Sequence, residues 1–232
     1  MILVLNKLNM KGLIILLFII SIFVSHQLCY SQAGSSLGIK AGAGVSRYFL
    51  LVAADQEQIL QNFVPVFQTG LVFSQLNEKN LGIQIELNYV QKAWEEKLPE
   101  TGKYNVLFDN IELPVLTHLR IGKKKSAWLI NLGLHVSYAF NARIDSSGVF
   151  TTTSIIEYNN LNYSNFDYGM DGGFGFEIGK ERGIFQIQLM YSQGMKNILE
   201  RDPEKVYRSL NQNLFLSCIY KIPLFRKPVK LE

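Results

Sequence analysis

The chain has 232 residues, 18% charged and 12% aromatic, with a formal net charge of +4. The length suits one barrel-sized domain. The near balance of charge, without a basic stripe interleaved with exposed aromatics, excludes a nucleic-acid partner. A leader ending near residue 33 contains Lys7 and Lys11 and no acid, so the 23 basic residues fall to 21, against 19 acidic.

In chain order, the first element is that leader. Lys7 and Lys11 precede the apolar run GLIILLFIISIFV, and the polar stretch SHQLCYSQAG follows. Basic, apolar and polar regions in this order make a secretory signal, and the run is short for a membrane-spanning helix. The small residues Ser31 and Ala33 suit cleavage, which gives residues 1–33 as signal peptide and 34–232 as one barrel domain. Cys29 leaves with the leader. Cys218 is then the only cysteine, so neither an internal disulfide nor a cysteine-based metal site is expected.

After the leader, about eight stretches alternate apolar and polar residues, the period of a β-strand with two unlike faces. The first carries Leu37, Ile39, Ala41, Ala43 and Val45 on one face and Gly38, Lys40, Gly42, Gly44 and Ser46 on the other. Phe67, Thr69, Leu71 and Phe73 mark the second. Leu81 to Tyr89, with Gln84, Glu86 and Asn88 between, mark the third. In the fourth, Ile111, Leu113 and Val115 oppose Glu112, His118 and Arg120. The fifth sets Trp128 to Phe140 against Asn131, His135 and Ser137, and the sixth sets Tyr168 to Ile178 against Asp167, Asp171 and Glu177. The last two centre on Ile187 and Leu216.

The connections alternate too. Long ones are expected near residues 47–63, 91–109, 142–165 and 195–209, and short ones at LNEKN, GKKKS and GKERG. Short periplasmic turns and longer extracellular loops are the habit of outer-membrane barrels. The oily faces run for nine or ten residues, roughly what a tilted strand needs to cross a bilayer. Tyr48, Phe49, Phe73, Tyr89, Trp94, Trp128, Tyr138, Phe140 and Tyr191 lie near strand ends, where interfacial aromatics belong. The expected fold is therefore all-β: an eight-stranded antiparallel up-and-down transmembrane barrel with its oily face toward outer-membrane lipid.

The inward set then includes Lys40, Glu86, Glu112, Arg120, Asp167, Asp171 and Glu177. Buried charges need partners, so Lys40 and Arg120 are expected to bridge carboxylates, Glu112 and Asp171 among them. His135 and Ser137 lie two apart on one face, the one pair that hints at a hydrolase. A hydrogen-bonded lumen pair explains them more simply. No nucleotide, protease or esterase motif occurs, and His118 and His135 are too few for a metal site. No cofactor and no catalytic activity are expected.

Several segments resemble the PorT-type outer-membrane β-barrel family, typical of Bacteroidota. They are GIKAGAGVS, GIQIELNYVQKA, NIELPVLTHLRI, FDYGMDGGFGFEIGK and QLMYSQGMKNI, and the likeness runs from about Leu37 to Ile222. Family members place residues like Glu86 and Tyr89 in the third strand, Glu112 and Pro114 in the fourth, Asp167 and Gly169 in the sixth, and Tyr191 to Gly194 near the seventh. The resemblance implies an eight-stranded membrane barrel in the outer membrane of a Gram-negative bacterium and no agreed activity. Three functional readings follow. One is a structural, adhesive or partner-binding barrel whose extracellular loops meet an extracellular or envelope protein. Another is a lipid-modifying hydrolase using His135 and Ser137. The third is a soluble lipocalin-like barrel with an apolar ligand.

Overall fold

The computed structural model describes residues 34–52, 58–60, 62–98, 102–123, 125–146, 154–155, 164–180, 183–197 and 206–224. The strands are β1 (Ser35–Val52), β2 (Gln58–Leu60), β3 (Val64–Leu76), β4 (Leu81–Leu98), β5 (Gly102–Lys123), β6 (Ser126–Ser146), β7 (Ser154–Ile155), β8 (Phe166–Lys180), β9 (Gly183–Gly194) and β10 (Val206–Pro223). Eight are long. They form one antiparallel ring, β1-β3-β4-β5-β6-β8-β9-β10, closed by β10 against β1 from Ser36↔Pro223 to Leu51↔Arg208. β2 and β7 are short additions to the ends of β1 and β6. Closure leaves no unpaired edge within the ring, the condition for placing a sheet in lipid.

The side chains settle which face is which. Ile39, Trp128, Leu132, Leu134 and Phe174 point outward and are 58–64% exposed. Gln84, Asn131, Gln186 and Gln188 point inward and are fully buried. A barrel dry outside and polar inside is the inverse of a soluble carrier, so the lipocalin-like alternative fails on the polarity of its lumen.

One end of the barrel carries both strand termini of the ring and the tight turns. In the first turn, Asn77 accepts hydrogen bonds at Oδ1 from the Lys79 and Leu81 amides, at 2.9 and 3.0 Å, and Asn80 adopts a left-handed φ of 61°. Asparagine tolerates that conformation better than most residues, which explains the sharp reversal. The opposite end, called the outer end below, carries the longer connections. It is expected to face the cell exterior. A cysteine introduced at Asn62 in a Cys218→Ser background should react with a membrane-impermeant maleimide on intact cells, and one at Lys79 should not. Labelling at Lys79 alone would reverse the orientation.

Residues 91–109 differ from the expected loop. β4 and β5 continue as a ladder from Gln91↔Asp109 to Leu98↔Gly102, a hairpin rising past the point where the β3–β4 ladder stops at Gln68↔Val90. The apolar–polar alternation fades there because Gln91, Lys92, Ala93 and Trp94 are all buried. Trp94 and Tyr48 are likewise not interfacial. They turn inward, each 2% exposed. Tyr48, Trp94 and Phe108 form a cluster at the outer mouth, with ring centroids 4.5 Å apart for Tyr48–Trp94 and 5.2 Å for Trp94–Phe108.

Two irregularities shape the interior. The β4–β5 ladder is interrupted between Ile85↔Val115 and Asn88↔Glu112. Pro114 lies in that gap and has no N–H to contribute. Between β5 and β6 the register shifts: Asp109 faces Asn141 and Asn110 faces Ala139, so Phe140 is left unmatched as a bulge. The extra residue changes the phase of β6. Ala139 and Ala142 are therefore both buried, while Asn141 turns to the outer side with Asp109.

Candidate functional site

The lumen is filled with polar side chains, and its charges fall into three tiers. Nearest the tight turns, Arg120 Nε donates to Glu177 Oε1 at 2.5 Å, and Lys221 Nζ reaches Glu177 Oε2 at 3.4 Å. Beside them His118 Nδ1 lies 2.6 Å from Asn131 Oδ1, and Asn131 Nδ2 donates to Gln188 Oε1 at 3.2 Å. In the middle tier Lys40 Nζ donates to Glu86 Oε2 at 2.7 Å, while Gln84 and Asn88 each donate to the same carboxylate. In the tier below the mouth, Lys92 Nζ lies 3.0 Å from Glu112 Oε2 and 3.5 Å from Asp167 Oδ2. There His135 Nδ1 meets Asp171 Oδ1 at 2.9 Å, and Ser192 also donates to Asp171.

Strand positions produce this grouping. Lys40, Glu86, Glu112, Asp167, Asp171 and Glu177 occupy inward positions of β1, β4, β5 and β8, so ring closure brings them to one axis. Buried charges cost several kcal/mol apiece when isolated, and pairing across strands offsets that cost while tying the strands together. Gly169 also belongs to the packing. It faces His135 across β6–β8, and a Cβ there would stand 2.6 Å from His135 Cε1.

The pairing differs in part from the expected one. Lys40 and Arg120 do bind carboxylates, but those of Glu86 and Glu177. Glu112 and Asp171 are held by Lys92 and His135 instead. Lys92 lies inside the segment read as a loop, though its position continues the inward phase of Glu86 and Asn88. Lys221 lies at the end of the least regular stretch, one residue beyond Tyr220. In both cases extending the alternation a few residues would have found the missing cations.

His135 and Ser137 are both buried in the lumen. Ser137 Oγ donates to Asn110 Oδ1 at 3.5 Å, and His135 uses Nδ1 on Asp171 and turns Nε2 toward Glu112, 3.9 Å away. The space around them is small. One cavity of about 10 Å³ lies among Lys40, Glu86, Glu112 and Asp171, and another of about 10 Å³ among Tyr48, Lys92, Asn110 and Asp167. Each is about the size of one water, and neither could admit an acyl chain.

On the outer surface, above the apolar band, Asp109 accepts hydrogen bonds from Tyr89 Oη at 2.6 Å, Asn141 Nδ2 at 2.8 Å and Arg143 Nη2 at 3.0 Å. The bulge at Phe140 is what turns Asn141 to this side. The cluster buckles β4, β5 and β6 together at the root of the projecting hairpin.

The family model for the outer membrane protein beta-barrel domain matches residues 27–200. The chain belongs to that family. It is a small outer-membrane barrel protein. No curated protein matches it by sequence. Among solved structures it is similar to the outer membrane protein OprG from Pseudomonas aeruginosa, at 15% identity and a TM-score of 0.46 over 83% of this chain and 95% of that one. It is also similar to Ail, the attachment invasion locus protein of Yersinia pestis, solved with the heparin analogue sucrose octasulfate. That likeness is 14% identity and a TM-score of 0.41 over 82% of this chain and 100% of that one. A third similar structure is Outer Membrane Protein W of E. coli, with 12% identity and a TM-score of 0.36 over 83% of this chain and 100% of that one.

Proposed function

We propose that this outer-membrane barrel is a closed, non-catalytic anchor with a structural or adhesive role, binding an extracellular or envelope protein partner at its outer end. The observation that carries the reading is the contrast between the filled lumen and the hairpin that projects from the outer end. Among the described residues the lumen is filled with paired charges and capped by Tyr48, Trp94 and Phe108, and the two cavities described above are each about the size of one water. The β4–β5 hairpin meanwhile continues nine residues beyond Tyr89, from Val90 to Leu98, past the apolar band. The finer assignment, to the PorT-type branch typical of Bacteroidota, rests on the sequence segments quoted above. Export by a signal peptide over residues 1–33 rests on their composition, and those residues lie outside the described ones.

Photocrosslinking in living cells tests the partner-binding role. A photoreactive residue at Asn62 or Met195, at the outer end, should give a discrete protein adduct, and one at Lys79 should not. Adducts confined to Lys79 would move the working surface to the other end.

The hydrolase alternative requires His135 and Ser137 to meet an acyl chain and a set of oxyanion donors. Their burial beside one-water cavities argues against it. Ser137→Ala should leave the lipid A and phospholipid species of the cell unchanged by mass spectrometry, and should cost about 1 kcal/mol of stability through one weak hydrogen bond. A deacylated species that disappears in the variant would make the pair catalytic.

A further inference from the structure

The lipid-facing surface is not uniform. Most of its outward positions carry large side chains, but midway along β1, beyond Leu37 and Ile39, they are Ala41, Ala43 and Val45. A groove of about 530 Å³ opens here, bordered by Ile39, Ala41, Thr69, Leu71, Cys218 and Tyr220. The registers show how it continues. Ala43 lies between Phe67 of β3 and Leu216 of β10, and Val45 lies between Pro65 and Leu214. Ala43 is thus flanked by taller side chains on both sides, while Ala41 lies between the short side chains of Thr69 and Cys218, where the groove opens.

This line of small side chains leads to Arg47. Its Nε donates to Gln212 Oε1 at 2.8 Å, and its guanidinium lies 4.5 Å from the centroid of the Phe63 ring. Gln212 is fixed in turn by donating to Gln193 Oε1 at 2.9 Å. No carboxylate pairs with Arg47 among the described residues. Arg143, another outward arginine at this end, is already bound to Asp109 at 3.0 Å. From Ala41 to Arg47 a strand advances roughly 20 Å, and at a tilt of about 40° it climbs about 15 Å, the depth of one hydrocarbon leaflet. A cation therefore stands at headgroup height, about one leaflet above the groove at Ala41, with the small outward side chains of Ala43 and Val45 between them.

We propose that this face is a binding site for a phosphate-bearing lipid of the outer leaflet, with an acyl chain along Val45, Ala43 and Ala41 of β1 and the phosphate on Arg47. Arg47 meets the requirements of a phosphate ligand: it is oriented by Gln212 and Phe63, and among the described residues its Nη donors have no hydrogen-bond acceptor and can meet headgroup oxygens. The proposal depends on the lipid-facing orientation of β1 and not on the partner-binding role.

Native mass spectrometry of the protein released from detergent tests it, with phosphatidylglycerol as the probe. Diacylglycerol supplies the chains alone and inorganic phosphate the anion alone. Phosphatidylglycerol should be retained more strongly than either. Arg47→Gln should lower its retention about tenfold, the loss of a charge-assisted contact, and leave diacylglycerol unchanged. Arg47→Lys should retain part of the effect. Ala43→Phe, which fills the space over Ala43, should lower retention of both lipids. Both positions face outward, so each variant should keep the heat-modifiable folded band. Equal retention of phosphatidylglycerol by the wild type and Arg47→Gln, inorganic phosphate bound as well as the lipid, or no effect of Ala43→Phe would each overturn the proposal.

Discussion

Leu132→Arg is expected to lower the stability of the barrel in phospholipid vesicles by about 2–4 kcal/mol, the cost of an arginine near the bilayer midplane on the lipid face of a barrel. Leu132 is 59% exposed, with Trp128 and Ile130 on one side along β6 and Leu134, Val136 and Tyr138 on the other. The charge has no partner at that depth and must reach the interface or draw water inward. Leu132→Ala should cost less, because lipid chains fill the space it leaves. Urea unfolding in vesicles measures both. A neutral Leu132→Arg would mean that this face does not meet lipid.

The second large effect is expected inside. Lys40→Met removes the cation 2.7 Å from Glu86 and leaves a carboxylate that is 1% exposed, with hydrogen bonds from the Gln84 and Asn88 amides. Removing one member of a buried pair costs about 3–5 kcal/mol, most of it the burden of the uncompensated charge left behind. The double replacement of Lys40 and Glu86 by Met should therefore recover much of the loss. A double-mutant cycle reads the coupling directly. If Lys40→Met costs under about 1 kcal/mol, the lumen is wet enough to solvate Glu86, and the packed interior described above is wrong.

Much of this was legible in the sequence because a membrane barrel has an unusually simple grammar. Each strand between Leu81 and Tyr89, or between Trp128 and Tyr138, must offer one face to lipid and the other to the lumen, and a period of two records that choice residue by residue. The same rule placed Lys40, Glu86, Glu112 and Glu177 inside. It failed where the physical constraint lapses. Beyond Tyr89 the alternation lapses: Gln91 to Trp94 are all buried, so Lys92 went unread and Trp94 was read as interfacial. Pairing was less legible than facing. Which cation meets Glu112 depends on the stagger of β4 against β5, including the interruption at Pro114, and no periodicity encodes that. The bulge at Phe140 was similarly silent, since one unmatched residue changes the phase of β6 without altering its composition.

Ion current across a planar lipid bilayer tests the central claim, a lipid-embedded barrel with a sealed lumen. Refolded protein with a heat-shifted gel band, inserted at known density, should produce no conductance steps. The Tyr48–Trp94–Phe108 cap and the three tiers of paired charge close the path. Reproducible single-channel steps from that same folded preparation would show that the lumen conducts and would contradict the account.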